Sequence, residues 1–399
     1  MDSTRKYRRF LWGLLAGSLL LCAAYFFYMS GKSIPDKISV YEGQEAQLDD
    51  MLPSELFSYD EDIAVLGGNQ YQLQCRLFGI LPVKTVKVQS IPRETVFVSG
   101  ETIGIYMETD GVMIIGAGEV DAVDELQKNP AENIIRPGDY ILEVNGEKIS
   151  DKNELIEMVG KSDGQKMQLL LRRGLEKVTV ALTPVMTRDG SCKLGIWVRD
   201  NIQGIGTLTF VRDDGTYAAL GHGISDIDTG ELLQLSEGQL YRSKILSVSR
   251  GARGNPGELK GMITYRDQEQ LGSISVNQYN GISGSLNERG KKELAHRQME
   301  IGLKQEVTAG PASILCSVDG EVKEFQVEIR EIDYRGESSN KNFVIHVTDS
   351  RLLESTGGIV QGMSGSPVIQ NGKLIGAVTH VFVQDAASGY GIFVENMVS

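Results

Sequence analysis

The chain has 399 residues, enough for two or three domains with cores of their own. Its 40 lysines and arginines against 53 aspartates and glutamates leave a net charge of −13, and no basic block interleaved with aromatics follows the N-terminus, which argues against a nucleic-acid surface. Of the four cysteines, Cys22 sits in the apolar N-terminal run, and Cys75, Cys192 and Cys316 form an odd, scattered set that reads as buried small hydrophobes, not as a disulfide framework or a zinc site.

Residues 10–29, FLWGLLAGSLLLCAAYFFYM, are almost uninterruptedly apolar and long enough for one helical crossing of a bilayer. Arg5, Lys6, Arg8 and Arg9 precede them, so the positive-inside bias keeps residues 1–30 as a cytoplasmic tail plus anchor and exports the rest, which carries −16. A cleaved signal peptide is the alternative. The apolar core exceeds the usual h-region, however, and Tyr25-Phe26-Phe27-Tyr28 occupies the place of a small-residue cleavage site, so an uncleaved anchor open to later proteolytic release is expected.

Residues 31–58 lack a sustained period and read as a stalk, with Pro53 and the Asp49-Asp50 pair among them. Residues 59–100 alternate in short runs such as VKTVKVQSI and ETVFV, a small β module. Residues 101–186 mix strands (TIGIYM, DGVMIIG, KMQLLLRR, EKVTVALTPV) with a helix around NELIEMVG. Arg136-Pro137-Gly138-Asp139, then Ile141-Leu142 and Asn145-Gly146, resemble a circularly permuted PDZ domain of the bacterial HtrA type. That resemblance puts the carboxylate-binding loop at Ile103-Gly104-Ile105, where successive amides would hold a C-terminal carboxylate while a peptide adds at the sheet edge. A PDZ fold that only packs against its neighbour and binds nothing is the equal alternative.

Residues 190–399 are strand-rich, interrupted by a helical pattern at about 290–304, and a mainly strand-and-turn run of that length implies a barrel or sandwich pair. The chemistry centres on Gly362-Met363-Ser364-Gly365-Ser366-Pro367. A serine hydroxyl needs a base and N–H donors aimed at the developing oxyanion. Glycines at −2 and +1 allow a tight bend, with the amides of Gly362 and Ser364 as the oxyanion hole. The following PVIQNGKLIGAVTHV is a hairpin around Asn371-Gly372. Motif and hairpin resemble the G-D-S-G-G-P run of chymotrypsin-fold proteases, departing from it at Met363 and Ser366. Gly281-Ile282-Ser283-Gly284-Ser285 repeats the pattern without the proline or the hairpin and reads as a Gly/Ser turn.

Four histidines can supply the base. His222, in AALGHGISD after a strand, turn and strand, stands at a glycine-flanked corner. His346 and His380 fall in apolar alternating runs and read as structural, His346 being the runner-up for its closeness to Asp349, and His296 reads as a surface residue. For the orienting carboxylate, Asp349 leads Asp226, Asp228 and Asp385 only slightly. Ser388-Gly389-Tyr390-Gly391 resembles a wall of the S1 pocket. No cluster has metal-ligand spacing, so neither metal nor other cofactor is expected.

Anchor, PDZ signature, ALGHGISD, VTDSRLLESTGGIVQGMSGSP and GAVTHVFV together resemble the stage IV sporulation protein B peptidases of endospore formers, over nearly the whole chain. The resemblance implies a mainly β protein with a chymotrypsin-like barrel domain and a triad of His222, Asp349 and Ser364. It further implies forespore synthesis, export into the intermembrane space, self-cleavage near the N-terminus, and cleavage of an inhibitory membrane protein that releases pro-sigma-K processing. The rival from another class is a membrane-tethered PDZ adaptor with a degenerate, inactive protease domain.

Overall fold

The computed structural model describes residues 2–43, 57–59, 64–67, 69–334 and 340–398. Asp49, Asp50 and Pro53 of the expected stalk lie outside them. The fold is mainly β, as expected. Helix Asp2–Ser33 contains the apolar run, with Tyr7–Met29 long and apolar enough to cross a membrane.

Part of the expected stalk is folded, because Lys37–Tyr41 pairs in parallel with Leu81–Ile91 and joins the small β module with Gln70–Leu77. Alternation explains the docking: Ile38 and Val40 are buried beside Leu73, Val86 and Val88. Residues 95–98 leave the module and pair instead with Ile196–Val211 and Arg297–Glu300.

Two closed rings of six strands follow. The second is Gly310–Ser317, Val322–Ile332, Phe343–Val347, Asp385–Phe393, Lys373–Phe382 and Pro367–Gln370. Phe343, Ile345 and Val347 point into its core while Val344 and His346 point outward, the two-residue period of a half-buried strand. Leu374 to Thr379 are buried on both faces, because the outer face meets the first ring across a seam with Phe210, Ile392 and Met397.

The first ring joins Thr102–Ala117, Leu235–Ser249, Gln270–Gln278, Gly281–Leu286, Thr216–Ala219 and Ile196–Val211, closed by pairing of the first with the last. This corrects the expected boundaries at 101–186 and 190–399. The first strand of the barrel precedes the PDZ-type segment, which is inserted between two strands long enough to serve both units. Residues 102–108 of one and 201–207 of the other pair within the barrel. Residues 113–117 and 196–199 pair within the insert, next to Tyr140–Val144, Met167–Arg173 and Glu176–Leu182. Helix Lys152–Gly160 covers that sheet, with Asp151 accepting from the amides of Asn153 and Glu154 as its N-cap. The helical pattern at 290–304 is shorter than expected: helix Glu288–Leu294 gives way to strand Arg297–Glu300.

Candidate active site

Strand Thr216–Ala219 ends in Leu220 and Gly221, both at φ +69°, and this sharp turn sets His222 at a corner facing the second ring. Across the seam, the serine loop is tied to the first ring. The Ser364 carbonyl accepts from the Thr207 amide at 2.9 Å, and the hydroxyls of Thr207 and Thr209 donate to the carbonyls of Gly362 and Gly365, each at 2.8 Å. Gly365 (φ +96°) makes this approach feasible, since a Cβ there would lie 2.0 Å from the Thr207 carbonyl oxygen and 2.6 Å from the Leu220 amide nitrogen. Gly365→Ala is therefore expected to lower stability by about 3 kcal/mol, read as a shifted midpoint in urea.

The His222 corner and the serine loop face each other at this seam, with His380 beside them, and no hydrogen bond joins Ser364 to either histidine. The Ser364 hydroxyl donates to the Thr379 carbonyl at 2.7 Å, and the rings of His222 and His380 lie 5.0 Å apart. His222 Nδ1 is 2.8 Å from the Gly223 carbonyl oxygen, an atom that can only accept. The tautomer that makes this hydrogen bond carries its proton on Nδ1 and leaves Nε2 with the lone pair a general base needs. Burial lowers the His222 pKa below the ordinary histidine value, with the Gly223 carbonyl opposing. His380 falls to about 4, through burial first and then the charges of His222 and Lys341, and its buried Nδ1 has no partner among the described residues.

The amides of Gly362 and Ser364 donate to nothing among the described residues. The Gln361 carbonyl accepts from the Leu259 amide at 2.8 Å, and in a trans peptide the Gly362 N–H points the opposite way, out of that pairing. Beside it, a cleft of about 780 Å³ opens between Gln203-Gly204-Ile205, strand Glu258–Ile263 and Gln361-Gly362.

Among the described residues, Asp349, expected to complete the triad, makes no hydrogen bond to His222. Its carboxylate is taken up by Arg351 Nε at 3.0 Å and Nη2 at 2.7 Å and by the amides of Arg351 and Gln326, and it caps helix Ser350–Thr356. These hydrogen bonds, Arg351's side chain foremost, hold its pKa at about 2. A depressed carboxyl contributes stability that is full above the unfolded value of about 3.9 and is lost as pH falls toward 2. Asp349→Ala is expected to cost about 1–2 kcal/mol in a denaturant melt while the folded protein still reacts with a serine-directed probe.

The competing acids are engaged as well. Asp226 pairs with Arg199 and accepts from the amides of Asp228 and Thr229, and Arg199 also holds Asp228. Asp385 accepts from the Ser388 hydroxyl at 2.6 Å, so His346 Nδ1, 2.9 Å from that hydroxyl, is the donor to it. His346 thus belongs to a separate chain that includes neither Asp349 nor Ser364. The wall Ser388–Gly391 lies on strand Asp385–Phe393, with Ile359 against Gly389. The turn at Tyr279-Asn280, next to the His222 corner, offers amides and carbonyls but no carboxylate; Asn277 there binds both the amide and the carbonyl of Ile224. His296 is exposed and hydrogen-bonded to Glu101, as expected of a surface histidine. Ser283, expected in a turn, lies in strand Gly281–Leu286 with both edges paired.

Ile103-Gly104-Ile105 cannot be a carboxylate loop. The segment is mid-strand, paired to Gly204–Gly206 on one edge and to Leu240–Arg242 on the other, with Ile103 and Ile105 in the barrel core. The groove of the inserted unit, about 420 Å³, instead runs between helix Lys152–Gly160 and residues 191–198. Lys193-Leu194-Gly195-Ile196 was the signal missed: another apolar-Gly-apolar run, placed after the last strand of the insert. Both His380 and the Gly223 carbonyl were also missed, the first because its run is apolar, the second because backbone carries no sequence signature.

The SpoIVB peptidase S55 family model matches residues 190–398. Among solved structures, the chain is similar to the PDZ domain of the SdrC-like protein Lmo2051 from Listeria monocytogenes, at 20% identity over 22% of this chain and 87% of that one, with a TM-score of 0.19. The corresponding domain of Lin2157 from Listeria innocua is 21% identical over 23% and 94%, with a TM-score of 0.19. The Rv3671c protease in its inactive form is 14% identical over 49% and 81%, with a TM-score of 0.26.

Proposed function

The chain belongs to the SpoIVB peptidase S55 family, and from that premise we propose that it is an extracytoplasmic serine endopeptidase held by one membrane anchor, with Ser364 as nucleophile. The observation that carries the reading is the convergence at one seam of Ser364, a half-buried His222 and the unengaged amides of Gly362 and Ser364. In the reaction, the Ser364 hydroxyl turns from the Thr379 carbonyl, His222 Nε2 takes its proton, and Oγ bonds to the scissile carbonyl carbon. The two amides hold the oxyanion. His222 then protonates the leaving amine, and water repeats the sequence on the acyl-enzyme. The Gly223 carbonyl holds the imidazole tautomer in place of a carboxylate.

The proposed substrates follow from the family: the protein's own N-terminal region, and the extracytoplasmic part of an inhibitory membrane protein whose cleavage releases pro-sigma-K processing across the intermembrane space. The apolar helix Tyr7–Met29 behind Arg5, Arg8 and Arg9 supports this placement. The test is self-processing of the membrane-bound chain, followed by sequencing the released N-terminus. A serine-directed inhibitor should stop the release, and unchanged release in its presence contradicts the reading.

A further inference from the structure

We propose that the hairpin tip Phe78–Leu81 of the small β module dips into the extracytoplasmic face of the bilayer, a second membrane contact beside the anchor. The proposal rests on the reading of Tyr7–Met29 as a membrane-spanning helix.

Hairpins that end in water carry polar turns, and this chain has one in Asn371-Gly372, at φ +52° and +77°. Phe78-Gly79 adopts nearly the same pair of angles, +53° and +68°, with an aromatic ring in the place of asparagine. A bulky side chain enters the left-handed region only at a cost, so the turn geometry does not explain the phenylalanine. The turn itself is closed: Leu77 pairs with Leu81, and the Ile80 amide donates to the Leu77 carbonyl at 3.2 Å. Phe78, Ile80 and Leu81 are 60%, 74% and 51% exposed, three apolar side chains within four residues. From Gln74 to Val86 the only charged residues are Arg76 and Lys84, both basic, the sign that suits the headgroup level above an apolar tip.

Position decides what covers this tip. The end of helix Asp2–Ser33 and the strand Leu81–Ile91 run side by side in the same direction. A Cβ at Gly31 would lie 3.4 Å from a Val83 methyl. Lys84 Nζ then reaches the Ile34 carbonyl at 2.7 Å and the Asp36 carboxylate at 2.8 Å, and the parallel pairing runs from Lys37 beside Lys87 to Tyr41 beside Ile91. Followed backwards, both segments head for the membrane. Ile80 lies three residues beyond Val83, about 10 Å at 3.3 Å per residue, which on the helix is about six or seven residues back from Gly31. That is the level of Tyr25-Phe26-Phe27-Tyr28, the aromatic band that ends the apolar run and suits a membrane–water interface. Helix and hairpin thus bring their aromatic and apolar side chains to one depth, and a tip fixed there holds the module at a set height above the bilayer.

The experiment places an environment-sensitive fluorophore on Ile80→Cys in the full-length chain carrying Cys22→Ser, which removes the exposed thiol, the other three cysteines being buried. The labelled protein is reconstituted into phosphatidylcholine–phosphatidylglycerol liposomes, with or without lipids spin-labelled high on the acyl chain. The probe should lose about half of its fluorescence to those lipids and less to lipids labelled near the chain end, the signature of a shallow site. The same probe on the exposed Glu42, beside Ile91 and about 35 Å along the strand from the tip, should keep its fluorescence. Adding Phe78→Asp and Leu81→Asp should bring the Ile80 probe to the Glu42 level with the urea midpoint unchanged. Equal quenching at both positions, or quenching that survives the two aspartates, overturns the proposal. If the protein floats with the liposomes after a carbonate wash and the Ile80 probe is not quenched, the proposal falls and the anchor stands. If the protein does not float, the anchor reading falls and takes the proposal with it.

Discussion

Ser364→Ala is expected to lower kcat/KM for peptide hydrolysis by about 10⁴- to 10⁶-fold, the range found when a serine nucleophile is deleted and only binding and oxyanion stabilisation remain. The fold should survive the change. Ser364 is half-buried, and its hydroxyl makes one hydrogen bond, to the Thr379 carbonyl, so the loss costs about 1 kcal/mol, whereas Gly365 beside it carries the inter-barrel contact. Steady-state hydrolysis and a urea melt of the same preparation separate the two effects. An enzyme as active as wild type, with an unchanged melt, would mean that the nucleophile lies elsewhere.

His222→Ala is expected to cost as much, because Ser364 and its base act as one unit and losing either disables both. The pH profile adds a readout that a structural role would not produce. Burial lowers the His222 pKa, so the imidazole stays neutral, and able to accept a proton, to a more acidic pH than a free histidine would. The acid limb of kcat/KM should accordingly fall below pH 6.5, the ordinary value for the group. A limb above that value would mean a base with a raised pKa, such as a histidine paired with a carboxylate. Measuring kcat/KM from about pH 4 to 9 decides between them.

Local features proved legible in the sequence. Asn371-Gly372 between two apolar runs does form the turn of a tight hairpin, with φ of +52° and +77°, and the alternation in FVIHV matches its burial residue by residue. Proline and hairpin set Ser364 apart from Ser283, whose strand is paired on both edges and so offers no free run of amides for an oxyanion. What stayed hidden depends on distant pairing. TIGIYMETDGVMIIGA alternates throughout, yet its first half closes a barrel with residues roughly a hundred positions later and its second half starts the insert, so the pattern gave no boundary. Ile103-Gly104-Ile105 and Leu194-Gly195-Ile196 look alike as strings and differ in whether both strand edges are covered. Asp349 looked like an orienting carboxylate; its partner was two residues away, at Arg351.

Labelling the full-length protein with a fluorophosphonate, followed by peptide mapping of the adduct, tests the central claim most directly. The label should sit on Ser364 and be lost in His222→Ala, with Asp349→Ala still labelled. Label on Ser283, or label on Ser364 that needs Asp349 but not His222, would contradict the account.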